Sequence, residues 1–472
     1  MSPSDVAPGL FQALWRTSEG RLRLAKLCAV VVRRYSYHSP YPPIPVWEPK
    51  TLADVHRAWE SLAAQRKEDR GPLGLYVHVP FCSTKCTFCN CMSVTDRRSA
   101  SHEAYLDCLE REIDWLAFPR SLRVETICIG GGTPTILSAK LLGRLFSLLE
   151  RSFDLSACRE KMVETSPFPV SPAAARALSA WDVSRVTLGV QTTEPALLTR
   201  FHRPQDSAMV RETFASLRRC GIRHISADLL AGLPGQTLRS FRESLDFVLS
   251  LKPDSISTYP FACLDTTPFQ VQGGRIRAQD VAVRERMLAL ASKVLSRHYP
   301  ERVRKIGRGV DSRQRVDRDY RNGSILGLGY SSRSYAKGHL SYVKASSFGR
   351  YVEAFQQGRF PPIRGWSLNR DEFMRSFVVD RLEMEGRIAR TGFQELFHQG
   401  IDRVFPKELS LALAQGLIED RGEDLVVRDD PRNHERRRLI CGKLFFSRKA
   451  LSAVWELAAR GGSREPLGGR VG

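Results

Sequence analysis

Cys82, Cys86 and Cys89 follow one another at a Cys-x-x-x-Cys-x-x-Cys spacing, directly after the short apolar run Leu75-Tyr-Val-His-Val-Pro-Phe81, and Cys91 lies two residues further on. Three chemistries use clustered thiols. Structural zinc prefers two pairs of ligands, and no partner pair stands elsewhere. A redox pair at the spacing of Cys86 and Cys89 leaves Cys82 unexplained. Iron–sulfur ligation explains all three. Three thiolates on one loop can hold three irons of a four-iron cluster and leave the fourth open to a small molecule. That is the ligand count needed to bind and reduce S-adenosylmethionine (SAM). Zinc and plain thiols remain as the alternatives.

Other residues suit the same chemistry when taken together. Gly131, Gly132 and Thr133, in Gly130-Gly-Gly-Thr-Pro134, form a turn that lets backbone approach a ligand, because glycine has no Cβ. It suits the amino group and carboxylate of SAM; alone it reads equally as a tight β-to-α turn. Glu164 and Asp228 are carboxylates at expected strand ends, where they can accept from ribose hydroxyls. Alone, each could be a helix cap or an ion-pair partner. Gln191 and Arg203 could complete a polar ring around a nucleoside and its carboxylate. Tyr76 and Phe88 flank the cysteines and could cover the cluster and the adenine.

The elements that must position these groups alternate. Strands are expected at Leu75–Val79, Val124–Ile129, Met162–Glu164, Arg185–Val190, His224–Leu230 and Ser255–Tyr259. Helices with 3-4 spacing fall between them. Tyr105, Leu109, Ile113 and Leu116 share one face; Phe241, Leu245 and Val248 share another, opened by Thr237 as N-cap. Six β-then-α units in series predict an α/β fold with a parallel sheet, closed into a partial (β/α)6 TIM-like barrel. The cysteine loop, the glycine turn, Glu164, Gln191, Asp228 and Ala262 then all fall at the carboxyl ends of strands, where such barrels carry their active sites.

The chain has 472 residues, enough for two or three domains. An N-terminal arm is expected over 1–70, with one helix around Leu52 to Ala64. The barrel follows over 71–265, a barrel-covering substrate-side segment over 266–365 and a small helical, winged-helix-like domain over 366–460. A disordered tail is expected over 461–472. Ile325-Leu-Gly-Leu-Gly329 reads as a turn against the barrel, Phe360–Gly365 as a linker, and Gly416–Ile418 with Leu425–Val427 as a strand pair. Eleven cysteines, odd in number and mostly scattered, do not suggest a secreted disulfide scaffold. No apolar run approaches the ~18 residues of a membrane span, so a cytoplasmic protein is expected. The formal charge of +21 comes from Arg spread along the whole chain without a nucleic-acid-binding motif, so no nucleic-acid partner is expected.

These residues resemble a known family, the oxygen-independent coproporphyrinogen III oxidases of the radical SAM superfamily. The marks are Tyr76-x-His-x-Pro-Phe-Cys82, the cysteine spacing through Cys91, Gly130-Gly-Gly-Thr-Pro, Glu164, Gly189-Val-Gln191, Arg203, and Asp228 before Gly232-Leu-Pro. Gly327-Leu-Gly and Arg438-Leu-Ile-Cys-Gly-Lys-Leu-Phe-Phe446 also look similar. The resemblance implies a radical SAM barrel and a [4Fe-4S] cluster on Cys82, Cys86 and Cys89. It implies SAM held by Tyr76, Gly131, Gly132, Thr133, Glu164, Gln191, Arg203 and Asp228. Phe88, Cys91 and Ala262 would lie near the cluster or a second SAM molecule, with Cys91 and Tyr76 as catalytic candidates. A small-molecule substrate and an electron donor such as flavodoxin or ferredoxin are implied as partners.

Three positions depart from the family pattern: Ser166, the stretch Asp319-Tyr-Arg-Asn-Gly-Ser324, and Arg333. The SAM half looks kept and the substrate half changed. The expectation drawn from this is radical methylene or methyl transfer, as C-methylation or cyclopropanation of an unsaturated small molecule in secondary metabolism. The alternatives are oxidative decarboxylation by a coproporphyrinogen oxidase and a haem-binding carrier.

Overall fold

The computed structural model describes residues 8–33, 41–168, 170–262, 267–299, 304–306, 309–311, 323–344, 347–428 and 440–459. They form two compact units. One runs from Pro49 to Arg364; the other joins the described residues up to Glu48 with those from Gly365 onward.

The larger unit is built on six parallel strands: β1 (Leu73–Val79), β2 (Thr126–Gly131), β3 (Glu160–Thr165), β4 (Arg185–Gln191), β5 (His224–Ala231) and β6 (Ser255–Pro260), hydrogen-bonded in chain order. Each contains the strand expected at that place, except that β2 starts at Thr126 rather than Val124. Leu and Val dominate β1, whose residues are buried apart from a half-buried Tyr76, as a parallel strand covered on both faces requires. The crossover helices start with side-chain caps. Ser138 accepts from Leu141 N, Ser171 from Ala174 N and Asp206 from Met209 N, while Thr237 and Ser240 form a reciprocal capping box. The faces anticipated on helices Ser99–Leu116 and Leu238–Ser250 are buried in the common core.

One expectation is corrected at the open edge. The segment read as a turn, Ile325–Gly329, is mostly a seventh parallel strand, β9 (Ser324–Leu328), in register with β1 from Ser324↔Leu73 to Leu328↔Val77. Its turn begins only at Gly329, which has a φ of +87°. Glycines argue locally for a turn, but two ladder partners decide otherwise. Outside β9, β10 (Arg333–Ala336) and β11 (Leu340–Lys344) add antiparallel; at the opposite edge β8 (Gly309–Asp311) pairs antiparallel with β6, and β7 (Arg304–Ile306) with β8. Within the larger unit the order runs β11-β10-β9-β1-β2-β3-β4-β5-β6-β8-β7 without closing on itself, so the barrel is partial.

The second unit holds helices Pro8–Arg16, Ser18–Arg33, Arg370–Asp380, Arg390–Phe397, Pro406–Ala414 and Arg448–Ala459. Its small antiparallel sheet has the order β12 (Arg387–Ala389), β14 (Asp424–Val427), β13 (Ile418–Asp420). The expected strand pair is there, shifted by two residues in its first member and joined by a third strand. Two helices before residue 34 were not anticipated. Their signal was present: Leu22, Ala25 and Ala29 are buried at 3-4 spacing. Phe360–Gly365, expected as a linker, leads into a strand at Ile363–Ser367. The departing stretch from Asp319 to Asn322 and the tail from Gly461 lie outside the described residues.

Candidate functional site

The cysteine loop leaves the carboxyl end of β1 and is closed at its base by a two-residue ladder, Phe81 with Val94 and Cys82 with Thr95. Val94 N also donates to Pro80 O at 2.8 Å. Cys86 is buried, Cys82 and Cys89 are half-buried, and Cys91 is exposed. Each of the first three sulfurs has its own polar neighbour. Thr133 Oγ1 lies 3.6 Å from Cys82 Sγ, Arg203 Nη1 donates to Cys86 Sγ at 3.4 Å, and Cys91 N donates to Cys89 Sγ at 3.4 Å. Burial pushes the Cys82 and Cys86 thiols up, while the hydrogen bond from Cys91 draws Cys89 down to about 6 against its own burial. Among the described residues no three His, Cys, Asp or Glu side chains gather around a point that would suit a single metal ion. Three thiols on one loop, two of whose sulfurs accept from N–H groups, suit the donor set of an iron–sulfur cluster.

The glycine turn is seated directly on this loop. Gly132 N donates to Val79 O at 2.8 Å and Thr133 N to Phe81 O at 2.7 Å. A Cβ on Gly132 would run into the Phe81 carbonyl oxygen. Gly131 has a φ of +107°, and a Cβ there would meet the His78 ring at 2.8 Å. Glycine is thus required at Gly132 by the base of the cysteine loop and at Gly131 by its positive φ and the His78 ring on β1. At Gly130 a Cβ would lie 2.6 Å from Glu164 Oε2 and 3.3 Å from the Tyr76 ring, so turn, carboxylate and aromatic converge.

The remaining anticipated residues take their places along the same strand ends. Gln191 ends β4 with a φ of +69°, at a bulge between Gly189 and Gln191. Arg203 is 7 % exposed; besides Cys86 it donates to the Gly189 carbonyl and, at 2.8 Å, to Gln205 Oε1. It thus ties β4 to a cysteine sulfur rather than lying open for a ligand alone. Asp228 pairs with Gly189 on one side and Ser257 on the other. Ala262 is half-buried just beyond Phe261, whose N–H donates to Ala231 O at 2.7 Å. Phe88 packs on Phe201 at 5.9 Å between centroids, and Phe201 packs in turn on Phe261 and Phe269. Phe269 N donates to Thr87 O at 2.8 Å, fastening the segment beyond β6 onto the cysteine loop. Of the departing positions, Arg333 is exposed at the start of β10 and Ser166 follows β3.

Three functional supports were not singled out from the sequence. His78 links the site internally: Nε2 bonds Met92 O at 2.8 Å and Nδ1 bonds Tyr76 Oη at 3.0 Å. The carbonyl can only accept, so Nε2 carries the proton and the Tyr76 hydroxyl donates to Nδ1. Burial, and then the Glu164 charge, push Tyr76 up, so its hydroxyl keeps that proton; burial draws His78 down to about 4. The Tyr-x-His alternation was the available signal, since residues two apart on a strand share a face. Gln205 holds Arg203 and donates to Val190 O at 2.7 Å. Glu112, fully buried, accepts from Gly329 N at 3.1 Å and Tyr351 Oη at 2.6 Å and pairs with Lys344 at 2.9 Å. Nothing local in the sequence marked it.

Comparison with known proteins accords with this geometry. Residues 76–248 match the radical SAM superfamily. An oxygen-independent coproporphyrinogen III oxidase of Cereibacter sphaeroides is 26% identical over 79% of this chain and 85% of its own length. A haem chaperone of Bacillus subtilis is 28% identical over 73% of this chain and 92% of its own. The structure of coproporphyrinogen III oxidase from Escherichia coli superposes with a TM-score of 0.72 and 25% identity, covering 87% of this chain and 97% of that one. These relatives overturn the expectation of methylene or methyl transfer in secondary metabolism. Three departures at the substrate side were read as a change of reaction, whereas relatives that span most of the chain include coproporphyrinogen oxidases and a haem chaperone. No described helix is long and apolar enough to cross a membrane. Residues 76–248 thus match the radical SAM superfamily, which implies a [4Fe-4S] cluster and SAM, and the chain is similar over most of its length to the oxygen-independent coproporphyrinogen III oxidases.

Proposed function

We propose that this enzyme carries out oxygen-independent oxidative decarboxylation of propionate side chains on coproporphyrinogen III or a close relative. The observation that carries the reading is the extent of the similarity: it reaches beyond residues 76–248 into the substrate-side and C-terminal segments. When bound, the cluster and SAM supply a 5′-deoxyadenosyl radical. With that chemistry supplied, a propionate would lose a β-hydrogen atom, then carbon dioxide and one electron to a one-electron acceptor, leaving a vinyl group.

The chain's own residues would position the reactants. Cys82, Cys86 and Cys89 would hold iron, with Arg203 and Thr133 hydrogen-bonded to sulfur. Glu164, Gln191 and Asp228 line the strand ends where SAM's ribose and amino acid would be held. Tyr76, kept protonated, and the aromatic group Phe88, Phe201, Phe261 and Phe269 would exclude water beside the loop. Ala262 and Cys91 would flank a second SAM molecule, and a flavodoxin or ferredoxin would deliver the electron.

The test is anaerobic reconstitution followed by incubation with coproporphyrinogen III, SAM and dithionite. Formation of 5′-deoxyadenosine, carbon dioxide and vinyl-bearing porphyrinogen supports the reading. The Bacillus subtilis relative favours a second one, a haem carrier. Tight haem binding with no 5′-deoxyadenosine formed from coproporphyrinogen would select it.

A further inference from the structure

Lys85 stands within the cysteine loop, between Cys82 and Cys86 in sequence. Its Nζ donates to the Cys91 carbonyl at 2.6 Å and to Ser93 Oγ at 2.8 Å. The ammonium therefore spans the loop from its first half to its return strand. A second cation braces the outside, Arg97 donating to Ser83 O at 3.1 Å. Both acceptors of Lys85 are neutral, and among the described residues no carboxylate lies within ion-pair distance of it. Its charge is thus fixed in place by hydrogen bonds and not cancelled by an acid. Cys91, whose carbonyl takes the ammonium, also gives its N–H to Cys89 Sγ at 3.4 Å, and Lys85 directly precedes Cys86 in the chain, so the charge is seated in the same short turn as the ligand sulfurs.

A cluster held by those thiolates gains one negative charge when it accepts one electron from a low-potential donor. Net charge near the cluster and hydrogen bonding at sulfur are among the terms that set such a potential. We infer that Lys85 tunes the cluster's reduction potential upward, by holding a fixed ammonium inside the loop that carries the three ligands. The inference rests on the iron–sulfur reading of that loop. Lys85 is a positioning and electrostatic residue, touching neither substrate nor SAM in this argument.

The test compares the reconstituted wild-type protein with Lys85→Arg, Lys85→Gln and Lys85→Met, in redox titrations followed by electron paramagnetic resonance. Iron and sulfide contents are measured first. Wild-type protein without a cluster would sink the iron–sulfur reading itself. Given a cluster, the expected result is a lower midpoint potential in both neutral variants and a near wild-type potential in Lys85→Arg. Glutamine keeps a donor for the Cys91 carbonyl without the charge, so it separates charge from bracing and still decides the matter if Lys85→Met does not hold iron. A Lys85→Gln cluster that titrates at the wild-type potential overturns the inference and leaves the cluster assignment untouched.

Discussion

Cys86 is the most deeply buried of the three proposed iron ligands, and its sulfur accepts from Arg203. Loss of that thiol leaves two ligands on a loop whose other polar contacts persist. Cys86→Ala is expected to abolish SAM cleavage and to lower bound iron severalfold, as read by iron analysis and 5′-deoxyadenosine formation. His78 offers a prediction about acid stability. Its folded pKa, drawn down by burial to about 4, lies below the ordinary value of 6.5. Between those two values the unfolded chain binds a proton that the folded one refuses, so stability rises with pH across that window. The contribution is fully present above pH 6.5 and is lost as pH falls towards 4, up to about 3 kcal/mol. Urea midpoints measured at pH 7 and pH 5 should therefore diverge in the wild type and converge in His78→Gln.

At the scale of elements, the glycine turn after β2 is where local sequence and chemistry meet. Its lack of side chains is imposed by the neighbouring loop, since a Cβ at Gly132 would enter the Phe81 carbonyl. Gly132→Ala must push the turn and the loop base apart. The expected outcome is a loss of about 1–3 kcal/mol in unfolding free energy, as overpacking costs, together with reduced iron incorporation. The cap at Thr237 is a milder case, because that helix also buries Phe241, Leu245 and Val248. Thr237→Ala should cost about 1 kcal/mol and leave SAM cleavage at wild-type rates. Strands and caps were legible because each is written in a few adjacent residues: an apolar run for the strand, a hydroxyl three residues before its N–H partner for the cap. The strand β9 was not, because its glycines argue for a turn and only the pairing with β1 makes it extended.

At the scale of the whole larger unit, one buried ion pair binds distant parts of the chain. Glu112 on helix Ser99–Leu116 meets Lys344 at the end of β11, both fully buried, with Tyr351 and the Gly329 turn completing its hydrogen bonds. The same turn packs on Tyr105, whose hydroxyl donates to the His78 carbonyl, so the network reaches the first residues of the site. Glu112→Gln leaves an uncompensated ammonium and should cost about 3–5 kcal/mol. The double change Glu112→Gln with Lys344→Met should be less destabilised than the sum of the single changes, a non-additivity that a mutant cycle in urea measures.

The sequence alone determined the reactive inventory. A three-cysteine loop, a glycine turn and strand-end carboxylates are each encoded within a handful of neighbouring residues, and the βα alternation brings them to one end of a sheet. Tertiary structure alone decided what holds them. Arg203 reaches back 117 positions to Cys86, Lys344 finds Glu112 across 232, and β9 takes its place beside β1. Such pairings depend on closing long loops in three dimensions, and no short window of sequence records that closure.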